Sequence, residues 1–105
     1  MINDFIKGIN ILAKHQTKYF DMYAEHEIIY IENVDMKSIS ASEIQELAAL
    51  GFYPGADGYS TKYAARDLEE AGIKVNGDEF EWDAVTEEQW DYLKEDIENS
   101  FYYYT

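Results

Sequence analysis

Apolar positions recur at helical intervals at the start of the chain. Phe5, Ile6, Ile9, Leu12 and Ala13 share one side of a helical period, so residues 3–15 predict an amphipathic helix. The stretch HEIIYIE, residues 26–32, is short, β-branched and aromatic and is bounded by charge, which predicts a strand. SASE follows as a capping box, with Ser40 as N-cap and Glu43 three residues on. Ile44, Leu47 and Ala48 supply the buried face of the helix it opens, and Gly51 stops it. FYPGADGY then reads as a turn-rich link punctuated by Pro54, Gly55 and Gly58.

Residues 61–71 predict a short third helix that Gly72 ends. IQELAALGF and ARDLEEAGI share a helix, a glycine stop and an apolar restart, two instances that fall short of a repeat. In IKVNGDEFEW, Asn76-Gly77 sits between alternating residues, the strongest short-range signal for a hairpin. TEEQ supplies a second capping box, Thr86 with Gln89, and its glutamates lie at the positive end of the helix dipole. Trp90, Leu93, Ile97 and Phe101 form one apolar stripe along that last helix, and FYYYT either extends it or frays. The pattern predicts an α+β fold: a single domain over residues 1–105, with about four helices packed on a short antiparallel sheet or hairpin.

Charge changes this picture. The chain has 105 residues and a formal net charge of −14. Acidic composition alone points towards disorder, but ten tyrosines, five phenylalanines and two tryptophans give the chain a core to bury. Cysteine is absent, which removes disulfides and thiolate metal sites. The start, MINDFIKGINILAKH, lacks the basic and apolar segments of a leader, and no run approaches the ~20 apolar residues of a membrane span. A cytoplasmic protein is the expectation. A surface this acidic repels phosphate and anionic lipid alike, so neither nucleic acid nor membrane is an expected partner.

The carboxylates are concentrated. Residues 67–105 carry thirteen acidic side chains against Lys74 and Lys94 alone. Glu79, Glu81 and Asp83 alternate with Phe80 and Trp82 along a predicted strand, and Glu87, Asp91, Glu95 and Glu98 line one face of the predicted last helix. Neighbours in such rows are separated by about 6 Å along a helix and about 6.6–6.8 Å along a strand. Successive phosphates on a nucleic-acid strand have a similar separation, with about 3.4 Å of axial rise per nucleotide. These seven residues are therefore the candidate partner-binding set, presenting carboxylates where a DNA-binding protein expects phosphates. The alternative is a solvated face that serves solubility.

Catalytic patterns are weak. His15 and His26 fall in different elements without metalloprotease spacing, and His26 between Glu25 and Glu27 makes at most half a metal site or a tuned base. Neither a nucleophile elbow nor a phosphate loop nor a calcium loop is present, and no cofactor or metal is expected. Trp82, Trp90, Phe80 and Phe101 have core spacing, whereas Tyr92 and the run Tyr102, Tyr103, Tyr104 are hard to bury together and suit a protein interface.

At GINILAKH, AEHEIIYI and LAALGFY, within residues 8–53, the chain resembles a group of short proteins from phages and other mobile elements. Their pattern has an isoleucine–leucine–alanine–lysine helix end, an alanine–glutamate–histidine–acid lead-in to a strand and a leucine–glycine–aromatic exit. After Phe52 the sequence departs, with a longer acidic tail where those proteins usually have a tryptophan-rich end. The resemblance implies a mobile-element context, in which small acidic proteins are often inhibitors of host defence and some are DNA mimics that block restriction or CRISPR complexes. It carries over no catalytic residue. The combined expectation is a non-enzymatic inhibitor in the host cytoplasm that binds a basic nucleic-acid-binding protein, a nuclease or a CRISPR effector. The alternative is an acidic interaction module whose hydrophobic or tyrosine-bearing side makes the contact. The apolar stripe and spare tyrosines would permit a homodimer.

Overall fold

The first helix, α1 (Ile2–Ala13), turns Leu12 fully inward and packs through Gly8. The glycine is required there, because the ring of Phe52 occupies the space a methyl group would take. The computed structural model describes residues 2–56, 59, 61–75 and 79–104, with residues 18–20 described by their backbone alone. Beyond α1 come β1 (Gln16–Glu25), β2 (Ile28–Val34), α2 (Ala41–Ala49), β3 (Phe52–Pro54), α3 (Thr61–Glu70), α4 (Glu87–Leu93) and β4 (Ser100–Tyr104). The class is α+β. Its strands form one antiparallel sheet in the order β1-β2-β4-β3.

Residues directly opposite in an antiparallel sheet share a face. One face carries Met22, Ile31, Phe101 and Pro54 in one row, with Ala24, Ile29, Tyr103 and Phe52 in the next. α1 covers its β3 and β4 part, the Phe5 ring lying 5.7 Å from Phe52 and 5.2 Å from Tyr103, while Met22 and Ala24 on β1 stay exposed. A single cluster of buried side chains, from Leu12 through Ile44, Leu68 and Trp90 to Phe101, joins the helices to this face. The Cα radius of gyration, 13.1 Å, is that of one compact domain, for which about 13 Å is expected at 100 residues.

Local signals hold where they were expected. Both capping boxes form: Ser40 and Glu43 exchange hydrogen bonds at the start of α2, and Thr86 and Gln89 do so at the start of α4. After α3, Gly72 takes a positive φ of 78° while the Ile73 amide donates to the Leu68 carbonyl and the Gly72 amide to Glu69. That is a Schellman stop, and it satisfies carbonyls that the helix end would otherwise leave open.

Four expectations change. Residues 16–25, for which the pattern assigned no element, form the longest strand, and β2 starts at Ile28. His26 and Glu27 are the two-residue turn between β1 and β2, with φ of 52° and 67°. The Asn76-Gly77 turn lies outside the described residues, but its flanks at 73–75 and 79–81 are not strands, and Trp82–Ala84 is a 3-10 turn. In the first flank Gln89 donates its side chain to the Lys74 carbonyl at 2.8 Å, and just past the 3-10 turn Gln45 donates to the Val85 carbonyl at 2.7 Å, so these two carbonyls need no partner strand. Finally, the last helix ends at Leu93. Ile97 and Phe101 keep the four-residue spacing and are buried, but a turn carries the first, and Phe101 belongs to β4, which lies between β2 and β3 inside the sheet.

Candidate partner-binding surface

From residue 79 the chain alternates outward and inward: Glu79, Glu81 and Asp83 are exposed, whereas Phe80 and Trp82 are 3% and 2% exposed. The alternation survives without a partner strand because the aromatics are drawn into the core. The Phe80 ring meets Trp82 edge-on at 4.8 Å, and Trp82 meets Trp90 edge-on at 6.3 Å. Trp90 is anchored further by its indole N–H, which donates to the Ile39 carbonyl at 2.7 Å. Tryptophans and carboxylates are therefore neighbours in sequence but occupy opposite sides of the same backbone.

All seven candidate carboxylates reach solvent. They do not form two parallel ladders. Glu79, Glu81 and Asp83 border one depression of about 310 Å³ together with Tyr53, Phe80 and Trp82. Glu87 and Asp91, one helical turn apart, share a face of α4. Glu95 and Glu98 lie beyond that helix, in the turn and bend that lead to β4. Two of the seven are answered by lysine: Asp91 by Lys94 at 3.0 Å and Glu95 by Lys37 at 3.5 Å. The carboxylate of each pair is well exposed, so solvent screens the pairing and most of the negative field remains. Glu98 stands apart from the first group and borders a second cavity with Asp67 and Asp96.

The histidines are divided between two roles. His15, just past α1, has its Nδ1 2.8 Å from Ser38 Oγ, and its Nε2 donates to Glu43 Oε2 at 2.8 Å. It thereby ties the end of α1 to the cap of α2. Partial burial pushes the Glu43 carboxyl up, but the hydrogen bonds from His15 and Ser40 outweigh it and hold the group below its ordinary value. His26 sits at the hairpin tip with its side chain 88% exposed and 3.6 Å from Glu25. The strand lead-in expected there is a turn.

A further surface was not apparent from the sequence. Tyr23 pairs with Tyr30, Tyr30 with Tyr102, and Tyr102 with Tyr53, so four tyrosines from four strands lie in one row on the face away from α1. Tyr23 and Tyr30 stack at 5.0 Å, and Tyr53 and Tyr102 are 5.7 Å apart. The row is covered at β4, Tyr102 being 7% exposed, while Tyr23 at 46% opens the β1 end. Partial desolvation, then the carboxylates of Glu32, Glu25, Asp21 and Glu98, push the Tyr23 phenol up, so the open end of the row lies in a negative field. No sequence signal places these residues together, because each comes from a different strand and only the register aligns them.

No protein-family model, curated protein or solved structure matches this chain. Among the described residues, no helix is long and apolar enough to cross a membrane.

Proposed function

We propose that the protein is a non-enzymatic inhibitor that binds a basic nucleic-acid-binding groove as an acidic DNA mimic. The observation that carries this reading is the outward display of Glu79, Glu81, Asp83, Glu87, Asp91, Glu95 and Glu98 by a chain of net charge −14. Their aromatic neighbours hold the backbone to the core, so the carboxylates are presented by a fixed segment. Such a surface attracts a partner with a positive groove, speeds its capture and excludes DNA by occupying the same charges. Because the carboxylates fall into groups, the mimicry is of a negative potential with phosphate-like local spacing. A continuous duplex backbone is not reproduced. The resemblance of residues 8–53 to mobile-element proteins directs the proposal to restriction nucleases and CRISPR effectors in the host cytoplasm.

A gel-shift competition against purified complexes of those classes tests it. The expected result is loss of target–DNA complex at stoichiometric protein, with an effect that weakens steeply as salt rises. The protein itself should not bind DNA. Inhibition that is indifferent to salt, or DNA binding by the protein alone, would remove the mimicry.

The row of Tyr23, Tyr30, Tyr102 and Tyr53 favours a second reading, an interaction module that meets its partner through the sheet face. Aromatic contact of that kind responds little to salt, so the same competition separates the two.

A further inference from the structure

A cavity of about 430 Å³ opens between α3 and the segment that leads into β4. Its size falls within the range of ligand sites, about 300–1,000 Å³. Tyr59 and Tyr63 supply aromatic wall, and Asp67, Asp96 and Glu98 supply three carboxylates against one cation, Arg66. Among the described residues no three acidic or histidine side chains converge closely enough to hold a metal ion. The negative charge is thus spread over a space larger than an ion and walled by rings. That combination fits an extended organic cation.

Arg66 indicates which one. Its guanidinium carbon lies 5.0 Å from the centroid of the Tyr63 ring, inside the ~6 Å reach of a cation–π contact. Among the described residues it makes no ion pair with a carboxylate. The ring therefore already receives a guanidinium, supplied by the protein's own helix, while the acids beside it stay open. Asp67 is also oriented: the Tyr59 hydroxyl donates to its Oδ2 at 3.2 Å, leaving Oδ1 for another donor. Burial first, and then Asp67, push the Tyr59 phenol up, which keeps that hydroxyl a donor.

We propose that this cavity seats an arginine side chain of a protein partner, and that Arg66 competes for the place. Arginine is preferred to lysine because a planar guanidinium stacks on tyrosine while its fork donates to two carboxylate oxygens, which a compact ammonium cannot do. The occupant is a residue of a polypeptide because the cavity borders the tyrosine face of the sheet: the Tyr59 carbonyl, in its wall, accepts from the Tyr102 hydroxyl at 3.5 Å, and the row of Tyr102 continues through Tyr30 to Tyr23. A chain that anchors its arginine here can lie along that negative, aromatic surface. The site is separate from the group around Glu79 and needs no phosphate mimicry.

The test uses two blocked peptides, three arginines or three lysines spaced by glycine, titrated into the full chain at low salt and followed by NMR shifts. The arginine peptide should bind about three- to five-fold tighter, the scale of one cation–π contact. Arg66→Ala should strengthen arginine-peptide binding by a similar factor, whereas Lys62→Ala, the same charge change on the same helix, should not. Tyr63→Leu should erase the preference. Both Tyr63 and Arg66 are exposed, so the variants keep the core intact. Equal affinity for the two peptides, equal effects of Arg66→Ala and Lys62→Ala, or no binding by either peptide overturns the inference. Blocked arginine amide binding as tightly as the peptide would overturn its polypeptide part. Loss of the arginine preference with DNA competition intact sinks this inference alone, and the reverse result sinks the mimicry alone.

Discussion

Trp90 donates its indole N–H to the backbone carbonyl of Ile39 at 2.7 Å, and so the acidic segment is pinned to the residue that precedes the α2 cap. Trp82, equally buried and in edge contact with Trp90, has an indole N–H that meets no acceptor among the described residues. The two tryptophans therefore make a controlled comparison. Trp90→Phe strands a buried carbonyl, while Trp82→Phe removes a donor that was already unpaired. Both lose similar ring volume. We expect Trp90→Phe to be the more destabilising by about 1–2 kcal/mol in urea denaturation. Equal losses would mean that the hydrogen bond contributes nothing beyond the packing.

The contact between His15 and Glu43 gives a pH dependence with a definite sign. The folded Glu43 carboxyl is held below its ordinary value, so its ionised form stabilises the fold. That stabilisation is present above the carboxylate's unfolded pKa and is lost as pH falls through the lowered folded one. Glu43→Gln keeps an amide able to cap Ser40 but removes the charge near the helix start. At neutral pH it should cost about 0.3–1 kcal/mol. The gap in Tm between wild type and variant should close as pH falls through the acidic carboxylate range. A gap that is constant with pH would show that charge has no part in it.

The turn between β1 and β2 places His26 and Glu27 at positive φ, where side chains meet the backbone unfavourably. Asparagine and glycine are the residues such a turn prefers. Changing His26→Asn together with Glu27→Gly should raise stability by about 1 kcal/mol or more, read as a higher Tm. It also removes the histidine of the only acid–base pairing the sequence offered. Retained inhibition in the raised-stability variant would exclude catalysis by His26.

Charge reversal tests the acidic surface. Asp91→Lys with Glu95→Lys should abolish binding to a basic target, since attraction becomes repulsion at short range. A control pair, Glu46→Lys with Glu69→Lys, makes the same change in net charge at exposed positions late in α2 and α3. It should cost little, because charges beyond about 8 Å from an interface are screened at physiological salt. Both pairs should fold, the first losing only ion pairs whose carboxylates are exposed, worth about 0–1 kcal/mol each. Inhibition assays would decide. Equal losses would mean that net charge alone matters, and no loss from either pair would favour the tyrosine face.

What the sequence determined by itself were features that short stretches of chain settle internally. Ser40 with Glu43 and Thr86 with Gln89 close their own hydrogen bonds within four residues, and Gly72 ends α3 by the φ it adopts, so these points were legible and hold. The inward aromatics at Phe80, Trp82 and Trp90 were legible too, because hydrophobic burial depends on residue type more than on the backbone that carries it. Strands were another matter. β1 has both faces wet over residues 21–25, so it shows none of the alternation by which a half-buried strand declares itself, and only its pairing with β2 defines it. Residues 100–104 read as the tail of a helix because Ile97 and Phe101 happen to keep a four-residue spacing. The tertiary structure placed them between β2 and β3, where their backbone groups find partners on both sides. The hairpin flanks at 73–75 and 79–81 went the other way: Gln89 donates its side chain to the Lys74 carbonyl, and past the second flank Gln45 donates to the Val85 carbonyl. The tyrosine row and the cavity beside Arg66 follow from the same rule. Register and packing between distant segments bring their residues together, and no local pattern in the chain encodes that.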